Sequence, residues 1–222
     1  MITTIIFDAE GVVLDTEAVW DQAQVEFLRR RGIRYQREQL KPLLTGQSLV
    51  EGVRVMQALY GFPGDPEKLA QERLAIVKAA LATGVNFIAG FTDFFALVTK
   101  NYKVCIATAM DRSLFQTVEN ALDLRAFFAE KMFFIDEVRG KGKPQPDIFL
   151  HAARQLHSAV EECVVIEDSP LGVEAAKRAG MLCVALTTTY ERKHLCSADC
   201  VVDSFVQCWK SIFCRRCFAI NS

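Results

Sequence analysis

Met1-Ile2-Thr3-Thr4-Ile5-Ile6-Phe7-Asp8-Ala9-Glu10-Gly11-Val12-Val13-Leu14-Asp15 opens the chain, and its reading decides the fold. The run to Phe7 is apolar and β-branched, the composition of a strand buried on both faces. It stops at Asp8. Two carboxylates, Asp8 and Glu10, stand where the strand should end, and Gly11 lets the backbone turn directly after them. A buried strand ending in acids points charge at the carboxyl edge of a sheet, where open α/β folds bind their ligands.

Outward from this stretch the pattern is helical. Glu17 to Arg31 carries apolar residues at Val19, Trp20, Ala23, Phe27 and Leu28, and further helical pattern covers Gln36–Leu44, Ser48–Tyr60 and Pro66–Ala82. The last begins with Asp65 as cap and Pro66 at the first helical position. From about Asn86 strands and helices alternate. Tyr102–Ala107, Lys131–Ile135, Cys163–Ile166 and Leu182–Leu186 read as strands; Phe91–Lys100, Asp111–Leu122, Pro146–Leu156 and Pro170–Ala179 read as helices. The pattern predicts an α/β class chain: a Rossmann-like parallel sheet with helices on both faces, built from residues 1–15 and 86–222. A small all-helical cap domain, 16–85, is inserted after the first strand.

Composition narrows the function classes. The chain has 222 residues, 51% hydrophobic and 24% charged, with a formal net charge of −1. That is a globular composition with ample core material and no basic excess to hold a polyanion, so no nucleic-acid partner is expected. The opening apolar stretch is too short for a signal peptide and runs into acids, and no run suggests a membrane span. A cytoplasmic enzyme or binding protein, monomeric or weakly dimeric, is the expectation. Eight cysteines need an account. Cys105, Cys163 and Cys183 lie in strand-like runs and read as small buried hydrophobes. Cys196, Cys200, Cys208, Cys214 and Cys217 crowd the tail, and Cys214-Arg215-Arg216-Cys217 has CxxC spacing near His194. The second pair is spaced differently and no βαβ unit frames the CxxC, so free thiols are the better reading than a zinc or redox site.

Polar residues stand at or just after four strands: Asp8 and Glu10, Thr108, Lys143, and Glu167 with Asp168. Taken singly, Thr108 reads as a helix cap, Lys143 as a solvated loop residue, and Asp168-Ser169 before Pro170 as capping. All of them, each at a carboxyl end of a parallel sheet, would converge on one edge.

In these residues the chain resembles the haloacid dehalogenase-like hydrolases. Phe7-Asp8-Ala9-Glu10-Gly11-Val12-Val13 with Asp15-Thr16 is similar to the family's first motif, and Thr108 after Val104-Cys105-Ile106-Ala107 to its second. Gly142-Lys143-Pro144-Gln145-Pro146-Asp147 is similar to the third. Val165-Ile166-Glu167-Asp168-Ser169, with Gly172, Ala175, Ala176, Ala179 and Gly180, is similar to the fourth. The resemblance reaches from residue 1 to about 190. The place of the helical insert resembles the subgroup that contains the β-phosphoglucomutase-like phosphatases.

The resemblance implies phosphoryl transfer through an aspartyl-phosphate. Asp8 would be the nucleophile. Mg2+ would be held by Asp8, the backbone carbonyl of Glu10, and Asp168, with Glu167 a direct ligand or the holder of a water. Lys143 would pair with Asp8 and a phosphate oxygen, and Thr108 with the amides of Ala9 and Ala109 would bind the remaining phosphate oxygens. Most phosphatases of the family carry aspartate where Glu10 stands. Glutamate keeps an acid/base carboxyl, with a reference pKa about 0.4 unit higher. It is one methylene longer, and displacement of about 1 Å can cost on the order of a hundredfold in rate. The implied function is a phosphatase of a small phosphomonoester, a sugar phosphate or similar metabolite. A phosphosugar mutase, and a slow or non-catalytic binding protein on the same fold, stay open beside it. The Thr45-to-Ser48 loop is the part of the insert expected to reach the site. Arg54 and Arg73 are candidate phosphate or carboxylate readers, against the ordinary reading of a solvated helix face.

Overall fold

A computed structural model describes residues 1–44, 48–139 and 142–213. Most of the Thr45-to-Ser48 loop and the pair Cys214 and Cys217 lie outside the described residues. In chain order the elements are β1 (Thr4–Phe7), β2 (Leu14–Asp15), α1 (Glu17–Arg29), α2 (Arg37–Leu44), α3 (Leu49–Tyr60) and α4 (Pro66–Thr83). There follow β3 (Asn86–Phe87), α5 (Phe91–Val98), β4 (Lys103–Thr108), α6 (Arg112–Leu122), α7 (Leu124–Phe128) and β5 (Met132–Phe134). The chain continues with α8 (Asp147–Gln155), β6 (Cys163–Glu167), α9 (Pro170–Arg178), β7 (Leu182–Leu186), β8 (Cys200–Val202) and α10 (Phe205–Phe213).

Residues group into two compact units: 1–15, 86–112 and 123–222 form one, and 16–85 with 113–122 form the other. The stretch Ser113–Leu122, read in the sequence as core, groups with the second unit.

The first unit holds a six-stranded sheet in the order β5-β4-β1-β6-β7-β8, every pairing parallel. Strand β1 lies inside it, Phe7 in register with Ile106 on one side and Ile166 on the other. Sequence order runs outward from β1 to β4 and β5 on one flank, then returns to β6, β7 and β8 on the other. The direction reverses between β1 and β6, the switch point where the carboxyl ends of an open α/β sheet leave a crevice. The chain's first and fourth polar clusters flank that point.

Alternation along β1 builds a core on each face of the sheet. Ile6 joins Cys105, Val165 and Cys183 under Phe149 and Ala152 of α8 and Val173 and Ala176 of α9. Phe7 turns to the other face, with its ring edge-on to Phe91, Phe94 and Phe128, 5.8 to 6.1 Å between centroids; Phe205 of α10 meets Phe94 in a tilted pair at 4.9 Å. At roughly 25 cal/mol per Å2 of apolar surface, rings of this size give β1 a large share of the hydrophobic anchoring. The strand is held from both sides, and its carboxyl end inherits that rigidity.

In the second unit α4 packs against α1 and α3. Val19, Ala23, Phe27 and Leu28 of α1, Val53 and Met56 of α3, and Ile76, Val77 and Leu81 of α4 are buried. Local chemistry sets the helix starts: Ser48 accepts from the amide of Glu51 at 3.2 Å, and Asp65 from that of Glu67 at 3.0 Å, with Pro66 next in line.

The buried cysteines Cys105, Cys163 and Cys183 are strand residues as expected. Cys196 is exposed and Cys208 is buried in α10. Among the described residues no tail cysteine joins a metal-binding group. None of the described helices is long and apolar enough to cross a membrane.

Candidate active site

At the carboxyl edge of the sheet, β1 delivers Asp8 and β6 delivers Glu167 and Asp168, side by side because β1 and β6 pair directly. A hydrogen bond from the Asp8 amide to the Ile166 carbonyl, 3.0 Å, fastens the two strand ends together. All three carboxylates are buried, and each offers an oxygen within 4.8 Å of the others. Lys143 reaches into the same space from the segment before α8. Its ammonium donates to Asp8 Oδ1 and, at 2.5 Å, to Glu167 Oε1, and its side chain is 10% exposed. The sequence's ordinary reading of Lys143 as a solvated loop residue is corrected here: the β-sheet edge draws it into an acidic hollow.

Glu167 is the most tied of the acids. Oε2 accepts from the amides of Asp168 and Ser169, at 2.9 and 3.0 Å, and from the Ser169 hydroxyl at 3.0 Å, while Oε1 takes Lys143. A Cβ on Gly172 would lie 1.8 Å from Glu167 Oε1, so only glycine lets the first turn of α9 sit this close. Ser169 caps α9 by accepting from Gly172 at 3.1 Å. The capping expected of Asp168-Ser169 is therefore present, but it belongs to Ser169. Asp168 stays directed at the cluster.

The electrostatics follow from burial. Desolvation pushes the Asp8 carboxyl up to about 7; Lys143 pulls it down, and Glu167 and Glu10 push it further up. Asp168 is raised well above the ordinary carboxylate range by burial first, then by the charges of Glu167 and Asp8. Burial works against the Glu167 anion too, yet Lys143 and the amide donors outweigh it and hold its carboxyl below the usual value. Desolvation likewise works against the Lys143 ammonium, and Asp8 and Glu167 overcome it, so this lysine stays charged. Ionising all three acids beside a single ammonium would leave an excess of negative charge, the condition a divalent cation relieves. Carboxylate oxygens are hard ligands, the kind a hard divalent cation takes.

Glu10 follows in the turn after β1, partly exposed and close enough to act on the charge of Asp8. The turn is tight: the amides of Val13 and Leu14 both donate to the Ala9 carbonyl, at 2.9 and 2.8 Å, and Gly11 adopts φ +72°. Thr108, at the end of β4, is buried, and its hydroxyl accepts from the Met110 amide at 3.0 Å. The capping-type contact expected of a lone threonine is real, and it coexists with a place on the same edge. Ala9 is buried and Ala109 exposed.

Of the two arginines singled out in the insert, Arg54 is exposed and pairs with Glu51 at 3.1 Å. Arg73 corrects the solvated-face reading. It is buried, donates from Nε to Gln24 at 3.1 Å, and lies 5.3 Å from the Trp20 ring centroid. Burial lowers its guanidinium to about 10. A Cβ on Gly52 would stand 2.8 Å from Arg73 Nη1, so α3 leaves room for it with a glycine.

The sequence reading passed over a fifth strand end. Thr187-Thr188-Thr189 follows β7; Thr188 donates to the Gly11 carbonyl at 2.5 Å, and the Thr189 hydroxyl lies beside the Asp168 carboxylate over Gly11. The signal was there, an apolar run ending in hydroxyls as β4 ends in Thr108.

The family model described as haloacid dehalogenase-like hydrolase matches residues 2–180. The chain belongs to that family. It is 29% identical over 177 residues to fructose-1-phosphate phosphatase YqaB of Escherichia coli, covering 80% of this chain and 92% of that protein. It is 30% identical over 178 residues to a phosphorylated carbohydrates phosphatase of Thermotoga maritima, covering 80% and 81%. The chain spans 18% and 53% of the length of two Arabidopsis thaliana relatives that it also matches. A crystal structure of a haloacid dehalogenase-like protein of unknown function from Agrobacterium tumefaciens shares the fold. Its TM-score is 0.83 at 24% identity, over 96% of this chain and 98% of that one. Both the Escherichia coli and the Thermotoga maritima relatives are phosphatases by name.

Proposed function

We propose that the protein is a magnesium-dependent phosphatase of a small phosphomonoester, a sugar phosphate or similar metabolite, acting through an aspartyl-phosphate on Asp8. The observation that carries the reading is Asp8 itself: buried at the switch point of the sheet, hydrogen-bonded to Lys143, with carboxylate oxygens of Asp168 and Glu167 within 4.8 Å.

Asp8, the backbone carbonyl of Glu10, Asp168 and Glu167 are the groups that would hold the cation. Bound there, Mg2+ supplies the positive charge that lets an anionic carboxylate approach an anionic phosphate. Asp8 attacks phosphorus, and the bond to the ester oxygen breaks. Glu10, protonated, gives its proton to the departing alkoxide. As a carboxylate, Glu10 then takes a proton from the water that attacks the acyl phosphate, releasing inorganic phosphate and restoring Asp8. Lys143 keeps Asp8 ionised and offsets charge on the transferring phosphoryl group. The Thr108 hydroxyl, with the amides of Ala9 and Ala109, receives phosphate oxygens. The helical unit, residues 16–85, is proposed to act as the cap that selects the substrate; the relatives' names favour phosphorylated sugars.

The test is a phosphomonoester panel assayed for inorganic phosphate with magnesium, with chelator, and with Asp8→Asn. Activity should require magnesium and vanish in Asp8→Asn. Hydrolysis that survives Asp8→Asn overturns the mechanism, and conversion to an isomeric sugar phosphate without release of phosphate would make the protein a mutase.

A further inference from the structure

We propose that the threonine loop after β7 is a positioning device for the metal site, with Thr189 orienting Asp168 and Thr188 pinning the turn that carries Glu10. The inference rests on the magnesium reading above and adds residues to it that neither the family's motifs nor the relatives' names contain.

The three threonines each hold a different partner. Thr187 anchors the loop to the end of β8: its amide donates to the Val202 carbonyl at 3.0 Å and its hydroxyl to Asp203 at 2.8 Å. Thr188 donates its hydroxyl to the Gly11 carbonyl at 2.5 Å. Thr189 stands beside the Asp168 carboxylate, its Oγ1 and Asp168 Oδ2 both meeting the point that a Cβ on Gly11 would occupy. Thr188 and Thr189 therefore span the gap between the turn after β1 and the end of β6. Gly11 shows how tightly the parts close: a Cβ there would lie 1.9 Å from Asp168 Oδ2 and 2.6 Å from Thr189 Oγ1. Absence of a side chain at Gly11 is what lets carboxylate and hydroxyl meet over the turn.

Chemistry gives the contact a purpose. Lys143 donates to Asp8 and Glu167, and Glu167 takes two amides and a hydroxyl besides. The neighbouring Thr189 hydroxyl is the corresponding restraint on Asp168. A hydroxyl is neutral: it fixes the carboxylate's orientation without competing for its charge, which an ammonium at the same place would do. Groups hydrogen-bonded to ligating carboxylates fix their geometry, and losing them typically costs about 10- to 100-fold in metal affinity or activity.

The experiment compares the full chain with Thr189→Val, which deletes the hydroxyl at nearly constant volume, and with Thr189→Ser, which keeps it. Mn2+ alone is the probe, its free fraction read by electron paramagnetic resonance without substrate. Thr189→Val should weaken Mn2+ binding about tenfold or more, Thr189→Ser should bind like the wild type, and the unfolding midpoint in chelator should be the same for all three. Equal Mn2+ affinity in Thr189→Val and wild type overturns the inference while leaving the phosphatase reading intact, and so does a serine variant as weak as the valine one. A wild-type chain that binds no Mn2+ overturns the metal reading itself, and this inference with it.

Discussion

In the proposed chemistry Lys143 is a residue whose environment fixes it and Glu10 one whose length sets it apart. Lys143 is enclosed by Asp8 and Glu167 and has the Phe149 ring centroid 5.1 Å from its ammonium. Replacing it with methionine keeps the stem and removes the charge. Breaking a buried pair in this way commonly costs about 3–5 kcal/mol. Asp8 softens the penalty here, since a carboxyl already pushed up to about 7 can take a proton instead of remaining an unpaired anion. The expected result for Lys143→Met is a stable fold, judged by circular dichroism, with phosphatase turnover reduced about 100-fold or more because an oriented donor has left the phosphoryl group. Glu10 is tested differently. Glu10→Gln keeps length and shape but cannot move a proton, so steady-state turnover should be lost. Transfer of phosphate to Asp8 from an ester with an activated leaving group should persist as a single burst, seen by rapid quench. Unchanged turnover would remove Glu10 from proton transfer.

At the scale of elements, the site depends on two glycines that let separate elements touch. Gly172 opens the first turn of α9 to Glu167, and Gly11 opens the turn after β1 to Asp168. Gly11→Ala adds a Cβ 1.9 Å from a carboxylate oxygen and also holds alanine at φ +72°. The backbone term alone is of order 1–3 kcal/mol, and the collision must displace Asp168. A lowered thermal midpoint together with lost metal binding is the expected outcome. Asp65→Ala in α4 is the contrasting case: it removes one cap and should cost about 1 kcal/mol of stability by denaturant titration, with activity unaffected. The same elements show what can be read from a sequence. The helices of the insert were legible because their apolar spacing is long and their caps explicit, Ser48 and Asp65 among them. Strands β1, β4, β6 and β7 were legible as continuous apolar runs. The two-residue strands β2 and β3, the three-residue β8 and the five-residue α7 were not, since short pieces carry too little periodicity to stand out; α10 lies in the tail, which was read only for its cysteines. Asp8, Thr108, Lys143, Glu167 and Asp168 could be listed from strand ends and family resemblance. The contacts of Thr188 with Gly11 and of Thr189 with Asp168 could not, because they join the end of β7 to the turn after β1 and to the end of β6, neighbour relations that a run of hydroxyls after a strand does not encode. The burial of Arg73 was hidden for a related reason: the helix face it occupies is decided by α1 and by Gly52 of α3.

The first unit as a whole carries its acids at the expense of metal-free stability, and pH should expose this. Asp8 is raised from an ordinary 3.8 to about 7, with burial the leading cause. In the unfolded chain it ionises near 3.8, so between that pH and about 7 the unfolded state has released a proton that the folded state retains. An acid whose folded pKa is raised favours the fold below its unfolded pKa and loses that advantage as pH climbs to the folded one. Asp168 is shifted in the same direction. Metal-free protein should therefore lose stability as pH rises from about 4 to 7, whereas Glu167, lowered by Lys143, contributes the opposite trend only below its ordinary value of 4.5. Magnesium, bound as proposed to the ionised acids, should reverse the loss. At a concentration one hundred times the dissociation constant, binding to the folded state alone adds about 2.7 kcal/mol. For a chain of this size that corresponds to roughly 5–10 °C in the unfolding midpoint. Scanning calorimetry at pH 5 and pH 7, with chelator and with excess magnesium, should show the magnesium-induced rise growing between the two pH values. Asp168→Asn should unfold at a higher temperature than wild type in chelator at pH 7 and gain almost nothing from magnesium. A magnesium effect of equal size at both pH values, or one retained in Asp168→Asn, would mean that the buried acids are not where the cation acts.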